Sequence, residues 1–229
     1  PREKPLGLDG LRALEELLAS HFELRAHVGF SLADDAMTID RLTGEQAWIL
    51  DSLEDNREMA ISGGAGSGKT VLAIEKAIRC AAEGRRTLLT CFNAPLANHL
   101  RDVCQDNEFL VVASFHSLCR SLAIKGGVVL PSNAGQALFD THLPEALVEA
   151  IGNNPNLGFD TIVVDEGQDF RDSWLNALRL ALRDIDEGRF YVFYDDNQRL
   201  FSPEDGFISA LPKSSIALTR NLRNTKRIH

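Results

Sequence analysis

The 229 residues contain no apolar run near the roughly 18 that a helix needs to cross a bilayer, and no signal-type apolar core opens the chain. Glycine and proline, 17 and 8, are too sparse for a collagen-like or low-complexity protein. Cysteine occurs four times, as Cys80, Cys91, Cys104 and Cys119, with no close pair. That spacing matches no zinc signature, and so few thiols in a chain this long argue against a disulfide framework and for a reducing, cytoplasmic setting. The six histidines are scattered without a metal-like grouping. What is present is ordinary for a globular protein: 44% hydrophobic and 25% charged residues, enough for one domain with a substantial core, or one domain plus a small appendage. The chain opens at Pro1 and stops at His229 just after a basic run, which reads as a piece of a longer protein.

Positive charge is in the minority, with 24 basic against 33 acidic side chains and a net charge of −9. The deficit is uneven. Lys213, Arg220, Arg223, Lys226 and Arg227 crowd the last 18 residues with no acidic neighbour among them, and the stretch 85–126 is also net positive. Binding of a polyanion depends on local contacts rather than on the total, so charge alone leaves a nucleic-acid partner and a solvated mixed surface equally open.

Two kinds of pattern follow one another. Leu8, Leu11, Leu14, Leu17 and Leu18 recur at helical intervals, and a second helix is predicted over Thr43–Leu53, with Thr43 as N-cap and Gln46 three residues on. From Glu58 strands and helices alternate. Strands are predicted at Met59–Ser62, Arg86–Phe92, Phe109–Ser114, Thr161–Asp165, Phe190–Asp195 and Ile216–Thr219. Helices are predicted at Lys69–Ala82, Pro95–Asp106, briefly after Ser114, at Ala134–Ile151 and at Ser173–Asp186, with a loop over Ser121–Asn133. Runs such as Thr-Ile-Val-Val and Tyr-Val-Phe-Tyr are apolar on both faces, as strands of a helix-covered parallel sheet are. The expected fold class is α/β: a parallel sheet flanked by helices, preceded by a short helical segment.

Between a predicted strand and a predicted helix stands Gly63-Gly64-Ala65-Gly66-Ser67-Gly68-Lys69-Thr70, which fits G-x-x-x-x-G-K-[ST]. The glycines let the backbone curl so that successive N–H groups face a phosphate at a helix N-terminus. Lys69 is the candidate for the β- and γ-phosphates, and the Thr70 hydroxyl for Mg²⁺. The rival dinucleotide fingerprint fails because it needs a Gly or Ala where Lys69 stands. At the end of a later strand, Ile162-Val163-Val164-Asp165-Glu166 supplies Asp165 as a second metal ligand and Glu166 as a base for the attacking water. A base for water points to hydrolysis of a nucleoside triphosphate rather than transfer to a small-molecule acceptor.

Asp165-Glu166-Gly167-Gln168-Asp169 resembles motif II of the UvrD-like superfamily-one DNA helicases, and further elements stand in that family's order over residues 42–228. Leu42-Thr43-Gly44-Glu45-Gln46 looks like the Q motif, which implies that Gln46 reads adenine. Thr90-Cys91-Phe92-Asn93 resembles motif Ia and Ser114-Phe115-His116-Ser117-Leu118 motif Ib, which makes Asn93, Ser114, Phe115 and His116 candidate DNA contacts. Tyr194-Asp195-Asp196-Asn197-Gln198 resembles motif III, with Gln198 sensing the γ-phosphate and Phe201 placed to stack on a base. Leu218-Thr219-Arg220-Asn221-Leu222-Arg223-Asn224 resembles motif IV, so Arg223 is the candidate γ-phosphate arginine.

The resemblance implies a helical segment at 1–41 and a RecA-like first motor domain at 42–229. A second motor domain in cis would complete the ATP cleft. It implies an ATP- and Mg²⁺-dependent helicase or translocase moving 3′ to 5′ along single-stranded DNA, with the 229 residues alone poorly active. Nothing in the sequence reads or avoids a 2′-hydroxyl, so RNA stays open beside DNA. About forty-five residues separate motifs Ib and II, too few for the family's usual inserted subdomain, and Leu222 stands where an aromatic is usual. The Asn-Leu-Arg-Asn-Thr wording resembles helicases joined to a nuclease-related domain. The alternative is a non-unwinding regulatory ATPase coupled to a nuclease or another protein. A small-molecule kinase would leave the Gln198 and Arg223 segments unexplained.

Overall fold

The computed structural model describes residues 44–54, 56–104, 107–132, 135–195 and 210–218, with the side chains of 44–47 excluded. The chain divides between Arg41 and Leu42, and every described residue lies in the second unit. The helix expected at Leu8–Leu18 and the Thr43 cap fall outside the described residues.

Among the described residues twelve α-helices and β-strands follow: α1 Gly44–Glu54, β1 Glu58–Gly63, α2 Lys69–Ala82, β2 Thr87–Cys91, α3 Ala94–Cys104, β3 Leu110–Ser114, α4 Phe115–Lys125, α5 Leu143–Asn153, β4 Thr161–Val164, α6 Asp172–Arg179, β5 Arg189–Tyr194 and β6 Ser215–Leu218. The six strands form one sheet in the order β3-β2-β4-β5-β1-β6, and every pairing is parallel. Because a strand points successive side chains to opposite faces, the inner strands β2, β4 and β5 feed two cores. Leu88, Ile162, Val164, Phe190 and Val192 pack on one side with buried residues of α4, α5 and α6. Leu89, Val163, Met59, Ile61, Tyr191 and Phe193 pack on the other with α1, α2 and α3. The result is the three-layer P-loop NTPase arrangement, helices over both faces of a parallel sheet. The carboxyl ends of all six strands therefore share one edge, where open α/β sheets place their ligands.

Three boundaries differ from expectation, each for a physical reason. α4 runs to Lys125 through the predicted loop because Leu118, Cys119, Leu122 and Ala123 bury one face of it. It ends where Gly126 meets α5, leaving no room for a side chain: a Cβ there would lie 2.5 Å from the Ala150 Cβ. The helix expected from Ala134 is regular only from Leu143, behind a π-helical turn at Leu138–His142. Pro144 has no N–H with which to extend the ladder backwards. α6 stops at Arg179, short of Asp186, because the following residues turn back on Phe159: its N–H donates to the Ala181 carbonyl at 3.0 Å and its carbonyl accepts from Arg183 N–H at 2.9 Å. All four cysteines are buried and free of disulfides. No helix among the described residues is long and apolar enough to cross a membrane.

Candidate nucleotide site

The phosphate loop leaves β1 at Gly63 and closes onto α2. Gly66 and Gly68 have φ of 78° and 86°, a left-handed backbone that favours glycine and turns the chain twice within three residues. Gly63 is required for a second reason: a Cβ there would meet Ser67 Oγ at 2.6 Å and the Leu218 Cβ at 2.9 Å. α2 begins immediately afterwards, so its first-turn N–H groups, which have no partner within the helix, open at the loop. The Lys69 ammonium folds back into the loop, donating to the carbonyls of Gly63 at 2.7 Å and Gly64 at 3.0 Å. It also stands 3.7 Å from a carboxylate oxygen of Asp195 at the end of β5, both side chains being almost fully buried. Ala65 is exposed, while the hydroxyl of the buried Ser67 has no hydrogen-bond partner.

Asp165 follows β4 directly, with its N–H donating to the Thr90 carbonyl on β2 at 2.8 Å. Its side chain is fully buried and neither carboxylate oxygen has a hydrogen-bond partner. Burial, reinforced by the charge of Glu166, pushes this carboxyl up to about 7. The Thr70 hydroxyl, the backbone at Glu166 and the Lys69 charge oppose part of the rise. The Thr70 hydroxyl thus favours the ionised form of Asp165. An uncompensated buried carboxylate next to a hydroxyl at a phosphate loop fits Mg²⁺, a hard cation that takes oxygen ligands and keeps several waters.

Glu166 has φ 52° and ψ 46°, the one non-glycine residue with positive φ among the described residues. The turn throws its carboxylate back over the strand ends, where Gln168 Nε2 donates to Glu166 Oε2 at 2.6 Å. Gln168 Oε1 accepts from the Asp195 N–H at 2.9 Å, tying the segment after β4 to the end of β5. Gly167 presses against β5, where a Cβ would lie 2.5 Å from Val192 Cγ1. Lys69, Asp165, Glu166, Gln168 and Asp195 therefore form one contiguous group drawn from the start of α2 and from the segments that follow β4 and β5.

The candidate DNA residues lie further along the same edge. Asn93 is exposed at the start of α3, where its Oδ1 accepts from Leu96 N–H at 3.4 Å. Ser114 is buried at the β3–α4 junction. Phe115 is fully buried and packs on Phe170 and Trp174, so its ring is a core group and offers no surface to a strand. His116 is partly exposed, with rings of Phe92, Phe139 and Trp174 edge-on at 5.6, 5.3 and 4.9 Å and the Phe139 carbonyl 3.2 Å from its Nε2. Burial pulls its pKa below the ordinary imidazole value. Gln198, Phe201 and Arg223 lie outside the described residues. So does the side chain of Gln46, whose backbone belongs to α1.

Sequence reasoning missed three participants. Gln168 and Asp195 were visible only as letters of motifs, because their roles depend on β4 and β5 being neighbours. Trp174 joins Phe92 in a stack with centroids 5.7 Å apart. The hint was the helix-like four-residue spacing from Phe170, which precedes α6, to Trp174 within it.

The family model for an AAA domain matches residues 46–202, more than half of the sequence. The chain belongs to the AAA domain family. No curated protein matches it in sequence. Among solved structures it is similar to a Pif1 helicase from a study of two coordinating copies unwinding forked duplex DNA, with 18% identity, TM-score 0.45, and coverage of 81% of this chain and 45% of that one. It is similar to Pif1 helicase from Candida albicans, with 16% identity, TM-score 0.48, and coverage of 78% and 39%. It is also similar to Bacteroides Pif1 bound to single-stranded DNA, with 17% identity, TM-score 0.45, and coverage of 81% and 43%. The AAA-domain chain spans less than half the length of each of these.

Proposed function

We propose that residues 42–229 form the ATP-cradling first motor domain of a helicase or translocase that hydrolyses ATP to move 3′ to 5′ along single-stranded DNA. The observation that carries the proposal is the convergence of Lys69, Asp165 and Glu166 at the ends of β1 and β4, linked through Gln168 and Asp195 at the end of β5. In this reading ATP enters over Gly63–Thr70, and Lys69 leaves the loop carbonyls for the β- and γ-phosphates. Mg²⁺, held by Thr70 and Asp165, would offset the charge that develops on the phosphate oxygens. Glu166 accepts a proton from water as the water oxygen attacks the γ-phosphorus, and ADP departs with the electrons of the broken P–O bond. Gln46, Gln198 and Arg223 are assigned to adenine, the γ-phosphate and the transferring phosphoryl by their motifs alone. A second motor domain in cis closes the cleft in this scheme, and a nuclease-related domain is the further neighbour that the motif wording suggests.

Two features support a strand at the same edge: Asn93 is exposed beside the nucleotide site, and His116 sits partly exposed in an aromatic cluster. The test is ATP hydrolysis by the complete protein with and without single-stranded DNA, alongside Glu166→Gln. Hydrolysis stimulated severalfold by DNA and lost in the variant, with ATP still bound, is the expected result. Hydrolysis indifferent to DNA would replace the motor with a regulatory ATPase, and equal loss of binding and turnover in Glu166→Gln would refute its role as base.

A further inference from the structure

Gln168 takes no part in the chemistry just described, yet both ends of its amide are used. Its Nε2 donates to Glu166 Oε2 at 2.6 Å and its Oε1 accepts from the Asp195 N–H at 2.9 Å. The side chain is buried, and Gly167 before it is wedged against Val192 and the Phe193 carbonyl. The amide therefore has a fixed platform. Only a group with a donor and an acceptor on one carbon satisfies both neighbours, and a carboxylate or a thioether does not.

We propose that Gln168 is a positioning residue for hydrolysis: it ties one oxygen of Glu166 to the end of β5 and so leaves the other aimed to accept the proton of the attacking water. The inference rests on Glu166 being the base. A glutamate whose backbone is already turned by a left-handed φ still has three side-chain torsions, each with alternative wells. A proton acceptor misplaced by about an ångström costs on the order of a hundredfold in rate, so a single bond that removes those alternatives is worth having. The same amide gives the site a second property. Asp195 is in ion-pair range of Lys69, so the base and the phosphate lysine are registered against one strand end.

Two substitutions separate positioning from a merely structural tie. Gln168→Glu keeps an acceptor for the Asp195 N–H but cannot donate to Glu166 when ionised. Gln168→Met keeps the approximate shape and loses both bonds. In the complete protein, both should lower kcat roughly ten- to a hundredfold while Kd for a fluorescent ATP analogue with Mg²⁺ stays within about twofold. Added to Glu166→Gln, Gln168→Met should cause no further fall, because it acts through a group already removed. Full activity in Gln168→Glu with loss in Gln168→Met would overturn the proposal, leaving only the Asp195 bond in use. Parallel losses of nucleotide affinity and thermal stability in both would overturn it in favour of a structural tie. Normal turnover in Glu166→Gln would remove the base itself, whereas an inactive Glu166→Gln beside fully active Gln168 variants would sink this inference alone.

Discussion

Asp165→Asn should make the nucleotide- and metal-free protein more stable, although it removes a group the proposed chemistry needs. The native carboxyl is fully buried with no hydrogen-bond partner on either oxygen, and burial with the Glu166 charge raises it from 3.8 to about 7. Between about pH 4 and pH 7 the unfolded chain therefore releases a proton that the folded chain keeps. Native stability falls with rising pH through that window and levels off above it. At about 1.4 kcal/mol per tenfold change in proton affinity, that rise sets a ceiling of about 4 kcal/mol on the penalty at pH 8. The asparagine amide finds no ready partner either, which returns about 1–3 kcal/mol. A net gain on the order of 1–3 kcal/mol at pH 8 corresponds to a rise in Tm of about 2–10 °C for a chain of this size. The assay is Tm of both proteins from pH 5 to pH 8, without nucleotide or divalent cation, then with Mg²⁺. The difference should grow with pH, and Mg²⁺ should stabilise the native protein and leave the variant unmoved. A difference that is constant with pH, or a variant less stable at pH 8, would refute the reasoning.

Two further substitutions test the packing that builds the site. Gly167→Ala should cost about 1–3 kcal/mol by overpacking against Val192 Cγ1, and Val192→Ala in the same chain should recover part of that loss; urea midpoints that simply add would refute the contact. Tyr191→Phe should lower stability by about 1–2 kcal/mol, because the buried hydroxyl serves the carbonyls of Leu53 at 2.8 Å and Asn56 at 2.9 Å and so ties the end of α1 to β5. An unchanged midpoint would show that water replaces the hydroxyl there.

The strand–loop–helix at Gly63–Thr70 and the strand ending in Asp165-Glu166 were legible because their physics is local. Glycines permit the turn, an apolar run makes the buried strand, and polar residues stand at its carboxyl end. The π-helical turn before Leu143 and the early end of α6 were not legible. Pattern counting runs helix through both; the missing N–H of Pro144 interrupts the first ladder locally, and the tertiary bonds of Phe159 with Ala181 and Arg183 end the second. The α4 boundary failed in the opposite sense: Gly126 and Gly127 look like loop punctuation, whereas Gly126 lets two helices approach. Gln168 and Asp195 were beyond reach for another reason. Their partnership exists because β5 lies beside β4, and that adjacency belongs to the sheet order, which residue patterns in a single sequence do not encode. Phe115 shows the limit of motif reading, since its place in motif Ib suggested a strand contact and its burial makes it part of the core.

Lys69 has a consequence for how the loop meets a phosphate. Its ammonium already saturates two donor positions on the Gly63 and Gly64 carbonyls and leans toward Asp195. A triphosphate arriving there performs a substitution: two carbonyl oxygens surrender the lysine, and phosphate oxygens take it. The free energy released is the difference between two sets of charge-assisted bonds, far smaller than the attraction of a bare cation for a polyanion. Much of the selectivity for a nucleotide must then come from the backbone amides of the loop and from the base. Inorganic phosphate, which offers the lysine a replacement partner and meets only part of the loop but carries no base, should be a weaker competitor than the nucleotide.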